Sequence, residues 1–181
     1  MKVLFSVPDG RLLGAQAVGE EGVDKRIDVI ATAIQLGGSV RDLAEAELCY
    51  APQYGAAKDP VNLAGMISTN HLDGLMPLAD WGVVDGGEAL LVDVREPGEF
   101  SAGHVEGARS LPLSQLRERF KELPQDRPLA LYCGVGQRAY YATRFLMQQG
   151  LDAANLSGGF TTFRTLRAAG LVKRPLAQGA S

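Results

Sequence analysis

Two apolar runs, ALLVDV at residues 89–94 and PLALYC at residues 128–133, restrict this chain more than any other feature. Neighbouring side chains of a strand point to opposite sides, so a strand that is apolar throughout must be covered on both faces. Helical stretches supply the cover. LPLSQLRERFKEL lies between the two runs, and the stretch after the second places Ala139, Ala142, Phe145 and Leu146 on one side before it ends at Gly150. A third short strand, DAANLSGG, runs into paired glycines, and FTTFRTLRAAG reads as a last helix. This alternation predicts an α/β fold, a mostly parallel sheet with helices on both faces, starting around residues 70–80. In such sheets ligands gather in the loops at the carboxyl ends of the strands, and Cys133 stands at one of those ends.

Residues 1–70 are of another kind. KVLFSV and RLLGAQAVG flank a PDG turn signal and predict a hairpin. In GVDKRIDVIATAIQLGG, Val23, Ile27, Ile30 and Ile34 share one helical face, closed by Gly37 and Gly38. SVRDLAEAELCYA predicts a shorter helix with Ser39 as N-cap, and Pro60 opens another in DPVNLAGMIST. Cys49 falls inside a helical pattern with no basic or glycine-rich neighbour, so it is expected to be a buried structural thiol. A hairpin and two or three helices enclose little core, which suggests a docking module or the remnant of a larger domain.

Composition narrows the function. A chain of 181 residues, 46% of them hydrophobic, holds one sizeable core and a smaller module. A net charge of -3 gives no general attraction to nucleic acid or an anionic membrane. Two cysteines are too few for a disulfide framework and point to a reducing compartment, so a cytoplasmic location is expected. The first apolar run stops at Pro8 and Asp9, short of a signal peptide's apolar region. No apolar run approaches the ~20 residues that span a bilayer.

Three chemistries compete for the segment around Cys133. Residues 134–139, Gly-Val-Gly-Gln-Arg-Ala, match the dinucleotide fingerprint between a strand and a helix. The acid that should meet the ribose is missing, because the next strand ends in Asn155, Leu156 and Ser157. Cysteine-based phosphatases place one more residue between cysteine and arginine than lies between Cys133 and Arg138, and Ala139 stands at their arginine position. A tighter ring of amides crowds a phosphoryl group but leaves room for one extra sulfur on the thiol. Sulfur transfer fits the spacing.

The rest of the second part agrees. LLVDVREPGEFSAGHVEGARSLPL, LYCGVGQR and NLSGGF resemble, in order and spacing, the rhodanese homology domain, over roughly residues 75–172. The matching positions are Asp93, Arg95, Glu99 and Phe100; Gly103, His104 and Gly107; Pro112; the loop from Cys133 to Arg138; and Gly158 with Gly159. In this reading Cys133 is the nucleophile, Arg138 its cationic partner, and Gly134, Val135, Gly136 and Gln137 bind the substrate sulfur through their backbone. Amides of residues 134–138, the helix dipole and the Arg138 charge all favour thiolate over thiol. The thiolate attacks the outer sulfur of a donor and holds it as a persulfide until an acceptor takes it. No metal or organic cofactor is required. His104 is expected to be structural, and Asp93 with Arg95 a salt-bridged strand end that braces the loops.

LLGAQAVGEEGVDKRIDVIATAI followed by LCYAPQYGAAKDPVNLAGM resembles the C-terminal part of the dimerisation domain of pyridine nucleotide-disulfide oxidoreductases, especially the coenzyme A disulfide reductase branch. Some members carry a rhodanese domain directly afterwards and are described as coenzyme A disulfide or NADH-dependent persulfide reductases. The resemblance implies FAD, NADH and coenzyme A for a full-length relative, but none for this chain, which has no flavin- or nucleotide-binding domain. It implies a homodimer through residues 1–70, a rhodanese-like domain at 75–172 and a tail at 173–181. It also offers Tyr54, and secondly Tyr50, as residues that reach a partner's coenzyme A site, against ordinary packing tyrosines. Two functions stay open: a sulfurtransferase passing sulfur from thiosulfate, polysulfide or a small persulfide to a thiol, or an idle rhodanese fold used as an interaction module. The chain itself is expected to be a fragment or a truncated product.

Overall fold

The computed structural model describes residues 1–178, which form two compact units, residues 1–75 and the chain from Met76 onward. In the first, β1 (Lys2–Phe5) and β2 (Leu12–Gln16) pair antiparallel as the expected hairpin. Helices α1 (Val23–Gln35), α2 (Val40–Glu45) and α3 (Pro60–Leu72) follow. Ser39 caps α2 by accepting from the Asp42 N–H, while the Asp42 carboxylate accepts from the Ser39 N–H at 2.6 Å. Pro60 stands in the first turn of α3 behind the Asp59 cap. Asn62 is buried there, and its amide donates to Leu43 O and Ala46 O, satisfying the free carbonyl end of α2. At Gly65 a Cβ would lie 2.3 Å from Ala44 N, so glycine is what lets α3 approach α2 so closely.

The core of this unit is Leu12, Ile30, Val40, Leu43 and Val61. The expected α1 face is therefore only partly the buried one. Ile30 is buried and Ile34 packs beside it, but the row continues through Val29 and Ala33 rather than Val23 and Ile27. Cys49 departs from expectation altogether. Ala46 leaves the helical region at ψ 124°, so α2 stops at Glu45 and Cys49 is exposed in irregular chain.

The second unit is built on a five-stranded sheet. Its elements run β3 (Leu78–Ala79), α4 (Val83–Gly86), β4 (Leu90–Asp93), α5 (Pro97–Ala102), β5 (His104–Val105), β6 (Arg109–Ser110), α6 (Leu116–Arg119), β7 (Leu129–Tyr132), α7 (Gln137–Gln148), β8 (Ala153–Leu156), α8 (Gly159–Ala168) and β9 (Leu176–Ala177). The sheet order is β3-β8-β7-β4-β6, and every pairing in it is parallel. Both faces are covered, as the apolar runs require. Leu129 and Leu131 of β7 pack with Val92, Leu116, Ala142 and Leu146 on one side. Ala130 and Tyr132 pack with Trp81, Leu91 and Phe163 on the other.

Two stretches differ from their sequence reading. Residues 113–122 are not one helix: a single α-turn, α6, lies between two 3₁₀ turns. Arg109 reaches across to Glu122, donating to its carbonyl and its carboxylate, and so fixes the last turn from β6. Of the expected tail, Leu176 and Ala177 form β9, paired antiparallel with β5, while residues 179–181 lie outside the described residues.

Candidate active site

Strand β7 is central in the sheet, and Cys133 is the first residue beyond its carboxyl end. The loop that follows has its carbonyls held from outside. Cys133 O accepts from the Phe160 N–H at 2.7 Å and Gly134 O from the Thr161 N–H at 3.0 Å. These donors belong to the first turn of α8, whose N–H groups have no acceptor within the helix. Gly136 O accepts from the Asn155 amide at 3.0 Å. On the opposite side of the loop, the Gly136 N–H donates to Cys133 Sγ at 3.1 Å. Gly136 has φ 108° and Gly159 φ 60°, a region that favours glycine. A Cβ on Gly159 would sit 2.5 Å from Cys133 O, so α8 can brace the loop only with glycine at that point.

Cys133 is 1% exposed, with its sulfur under the loop. Gln137 begins α7, and Val135 is 68% exposed. Of the described backbone amides the Gly136 N–H reaches Sγ, fewer than the ring of amides the sequence suggests. Arg138 folds back over the loop, its Nη2 lying 3.8 Å from where a Cβ on Gly134 would be. It is not a free charge. Nη1 and Nη2 donate to the two carboxylate oxygens of Glu99 at 2.6 and 2.7 Å. This pair lowers the Glu99 carboxyl to about 2 and raises the Arg138 guanidinium, to which the Cys133 sulfur adds a smaller contribution.

Behind the loop, Asp93 and Arg95 are buried and joined by two parallel contacts, Nε to Oδ1 at 3.0 Å and Nη2 to Oδ2 at 2.6 Å. Arg95 also donates to Gly103 O at 2.7 Å and lies 4.0 Å over the Phe160 ring. This is the expected brace, and it ties β4 to α5 and α8. Tyr132, fully buried, accepts the Val105 N–H, and burial pushes its hydroxyl well above the usual phenol range. His104 stacks on Phe100 at 3.7 Å and its Nδ1 meets Phe100 O at 2.9 Å. These are the packing contacts a structural side chain makes. An open cleft of about 540 Å³ has Arg95, Glu99, Phe160, Arg164 and Leu176 in its walls, and it reaches the loop only through residues that contact it, Glu99 by way of Arg138 and Phe160 by way of Cys133 O. Among the described residues no three His, Cys, Asp or Glu side chains are grouped to hold a metal, and no helix is long and apolar enough to cross a membrane.

The predicted loop residues Cys133 to Arg138 thus come together, and Tyr50 and Tyr54 lie in the other unit, 53% and 88% exposed. Sequence reasoning missed the role of Glu99 as the partner of Arg138, although Glu99 stood among the matching motif positions. It also missed Asn155, which the dinucleotide reading treated only as the wrong residue type. Neither has a local signal, since both contacts span distant parts of the sequence.

Comparison with known proteins follows the same division. Residues 81–166 match the rhodanese-like domain, and residues 1–59 the dimerisation domain of the pyridine nucleotide-disulphide oxidoreductases. A sulfurtransferase of Allochromatium vinosum is 41% identical over 78 residues, covering 42% of this chain and 73% of that protein. The structure of reduced Bacillus anthracis CoADR-RHD is similar at a TM-score of 0.87 and 41% identity, covering 94% of this chain and 31% of that one. A NAD-dependent persulfide reductase from A. fulgidus gives 0.76 and 35%, covering 87% and 28%. The chain therefore spans less than a third of either solved relative. With its parallel sheet and the Cys133 loop at the end of the central strand, the chain belongs to the rhodanese-like family, behind a segment of oxidoreductase dimerisation type.

Proposed function

We propose that the chain transfers sulfane sulfur through a persulfide on Cys133. The Cys133 thiolate attacks the outer sulfur of a donor; the new S–S bond forms as the donor's own S–S bond breaks, and the electron pair leaves on sulfite or on a thiolate. An acceptor thiolate then attacks the outer sulfur of the persulfide and regenerates Cys133. Gly134, Val135, Gly136 and Gln137 form the wall that holds the transferred atom. The observation that carries this reading is the Gly136 N–H aimed at Sγ with a guanidinium beside it. A cysteine that merely fills a core needs neither. The step calls for no metal or organic cofactor, since nucleophile, leaving group and acceptor come from Cys133 and the two substrates.

The names of the longer relatives support placing this step beside coenzyme A disulfide or persulfide reduction, with FAD, NADH and coenzyme A handled outside this chain. Residues 1–70 would then hold two copies together. The test is mass spectrometry of the protein after thiosulfate, glutathione persulfide and coenzyme A persulfide in turn. Cys133 gains one sulfur atom and Cys49 does not. Cys133→Ser abolishes transfer to cyanide or a thiol, whereas Cys49→Ser retains it. The reverse pattern, or no sulfur on Cys133 with any donor, would leave an interaction module instead of an enzyme.

A further inference from the structure

The cation nearest the candidate nucleophile is closed off by a carboxylate that the sulfur-transfer step does not itself need. Both oxygens of Glu99 accept from Arg138, at 2.6 and 2.7 Å, so the end of the guanidinium is occupied and its charge is largely balanced before a donor arrives. Glu99 is itself fixed, because Oε2 also accepts the Glu96 N–H at 3.0 Å as part of the cap of α5. The other cation at the loop, Arg95, is closed in the same way by Asp93. Arg164 lines the same cleft; it and Glu99 are both exposed and partly screened, but Glu99 is held in place by Arg138 and the Glu96 N–H.

We infer that Glu99 is a positioning residue that sets the charge preference of the sulfur site, disfavouring dianionic donors and favouring small persulfides of low charge. The inference rests on sulfur transfer at Cys133. Thiosulfate brings two negative charges to the loop and leaves as dianionic sulfite. At Arg138 it meets a cation already balanced by Glu99, with the carboxylate itself close by to repel it. The persulfide of a small neutral thiol such as 2-mercaptoethanol carries at most one charge, on the sulfur that Cys133 takes, and releases a single thiolate, so it can react with the pair intact. Glu99 lines the cleft as well, where the body of such a thiol can lie against Phe160 and Leu176.

The experiment compares thiosulfate with the persulfide of 2-mercaptoethanol, cyanide being the acceptor, in the wild type, Glu99→Gln and Glu99→Asp. Glutamine keeps the side-chain length and an oxygen for the Glu96 N–H but removes the charge. In Glu99→Gln the ratio of kcat/KM for thiosulfate to that for the persulfide rises about tenfold or more, mainly through the thiosulfate KM, as expected for a unit charge acting on a dianion across a partly hydrated site. In Glu99→Asp, which keeps the charge, the ratio stays near the wild-type value. A purely structural role would lower both donors together, and that result, an unchanged ratio in Glu99→Gln, or an equal rise in Glu99→Asp overturns the inference. Should Glu99→Gln fail to fold, the wild type still decides, since a preference for thiosulfate over the persulfide overturns it. Mass spectrometry separates the two levels. If neither donor leaves sulfur on Cys133, sulfur transfer itself falls; if both do and the ratio is indifferent to Glu99, only the charge preference falls.

Discussion

Arg138 matters most where its charge meets another charge. Charge-assisted contacts contribute ~1.5 to 3 kcal/mol, so Arg138→Ala should cut thiosulfate turnover roughly tenfold to a hundredfold, and turnover of a low-charge persulfide less. Steady-state kinetics with the two donors reads this directly, and equal losses would mark Arg138 as structural. The same pair has a signature in acid. Arg138 holds the Glu99 carboxyl down at about 2, from a usual value of 4.5. The stabilisation from that depressed carboxyl is fully present above the usual value and is lost as pH falls toward 2. Urea unfolding from about pH 5 downward should therefore show a steeper acid loss for the wild type than for Glu99→Gln. The two cysteines differ in a complementary way: Cys49 is exposed and Cys133 buried. A bulky maleimide should label Cys49 first, while small sulfur donors load Cys133. Maleimide labelling of Cys133 ahead of Cys49 would contradict the burial.

At the scale of elements, helix α8 does more than cover the sheet. Its first turn donates to the carbonyls of Cys133 and Gly134, and Gly159 makes that approach possible. Gly159→Ala adds a Cβ at φ 60° against the loop backbone, a strained position that costs about 1–3 kcal/mol. Sulfur loading of Cys133 should fall further than this loss of stability alone explains, because the loop must move to make room. One turn along the same face of α8, Phe163 is fully buried against Trp81 with ring centroids 5.1 Å apart. Phe163→Ala should cost about 3–5 kcal/mol in urea or thermal unfolding. A change below about 1 kcal/mol would mean that the core beneath α8 is packed otherwise.

For the whole molecule the open matter is association. Ile30 of the apolar α1 face is buried within its own unit and Ile34 packs beside it, so this face is partly used up in the unit's core. Other apolar side chains of the same unit are exposed, Leu4 and Leu13 on the hairpin and Leu63 with Ile67 one turn apart on α3. A dimer through residues 1–70 would use these. Light scattering at tens of micromolar should give a dimer for the full chain and a monomer for the polypeptide beginning at residue 74, which retains sulfur transfer. A monomeric full chain would remove the dimer, and a folded but inactive shorter polypeptide would show that the two parts work together.

Much of this was written locally in the chain. Runs such as ALLVDV and PLALYC demand cover on both faces, and the sheet they build is parallel with a core on each side. Spacing within one loop brings Cys133, Gly136 and Arg138 together, because residues that close are joined by the backbone whatever the rest does. Turn and cap residues such as Ser39 and Pro60 act within a few positions of themselves, and they too were legible. Contacts between distant segments were not. Nothing near Arg138 announces that Glu99 will neutralise it, nothing near Cys133 announces that α8 will hold its carbonyl, and Cys49 became exposed because α2 stopped before its apolar pattern did. The sequence by itself determined the main strands and helices of the sheet and which residue types stand at the end of the central strand, but not the broken helix at 113–122, the early end of α2 or the strand β9. Only the tertiary structure decided the electrostatics of the site, because a charge is set by whatever the fold brings beside it and not by its neighbours along the chain.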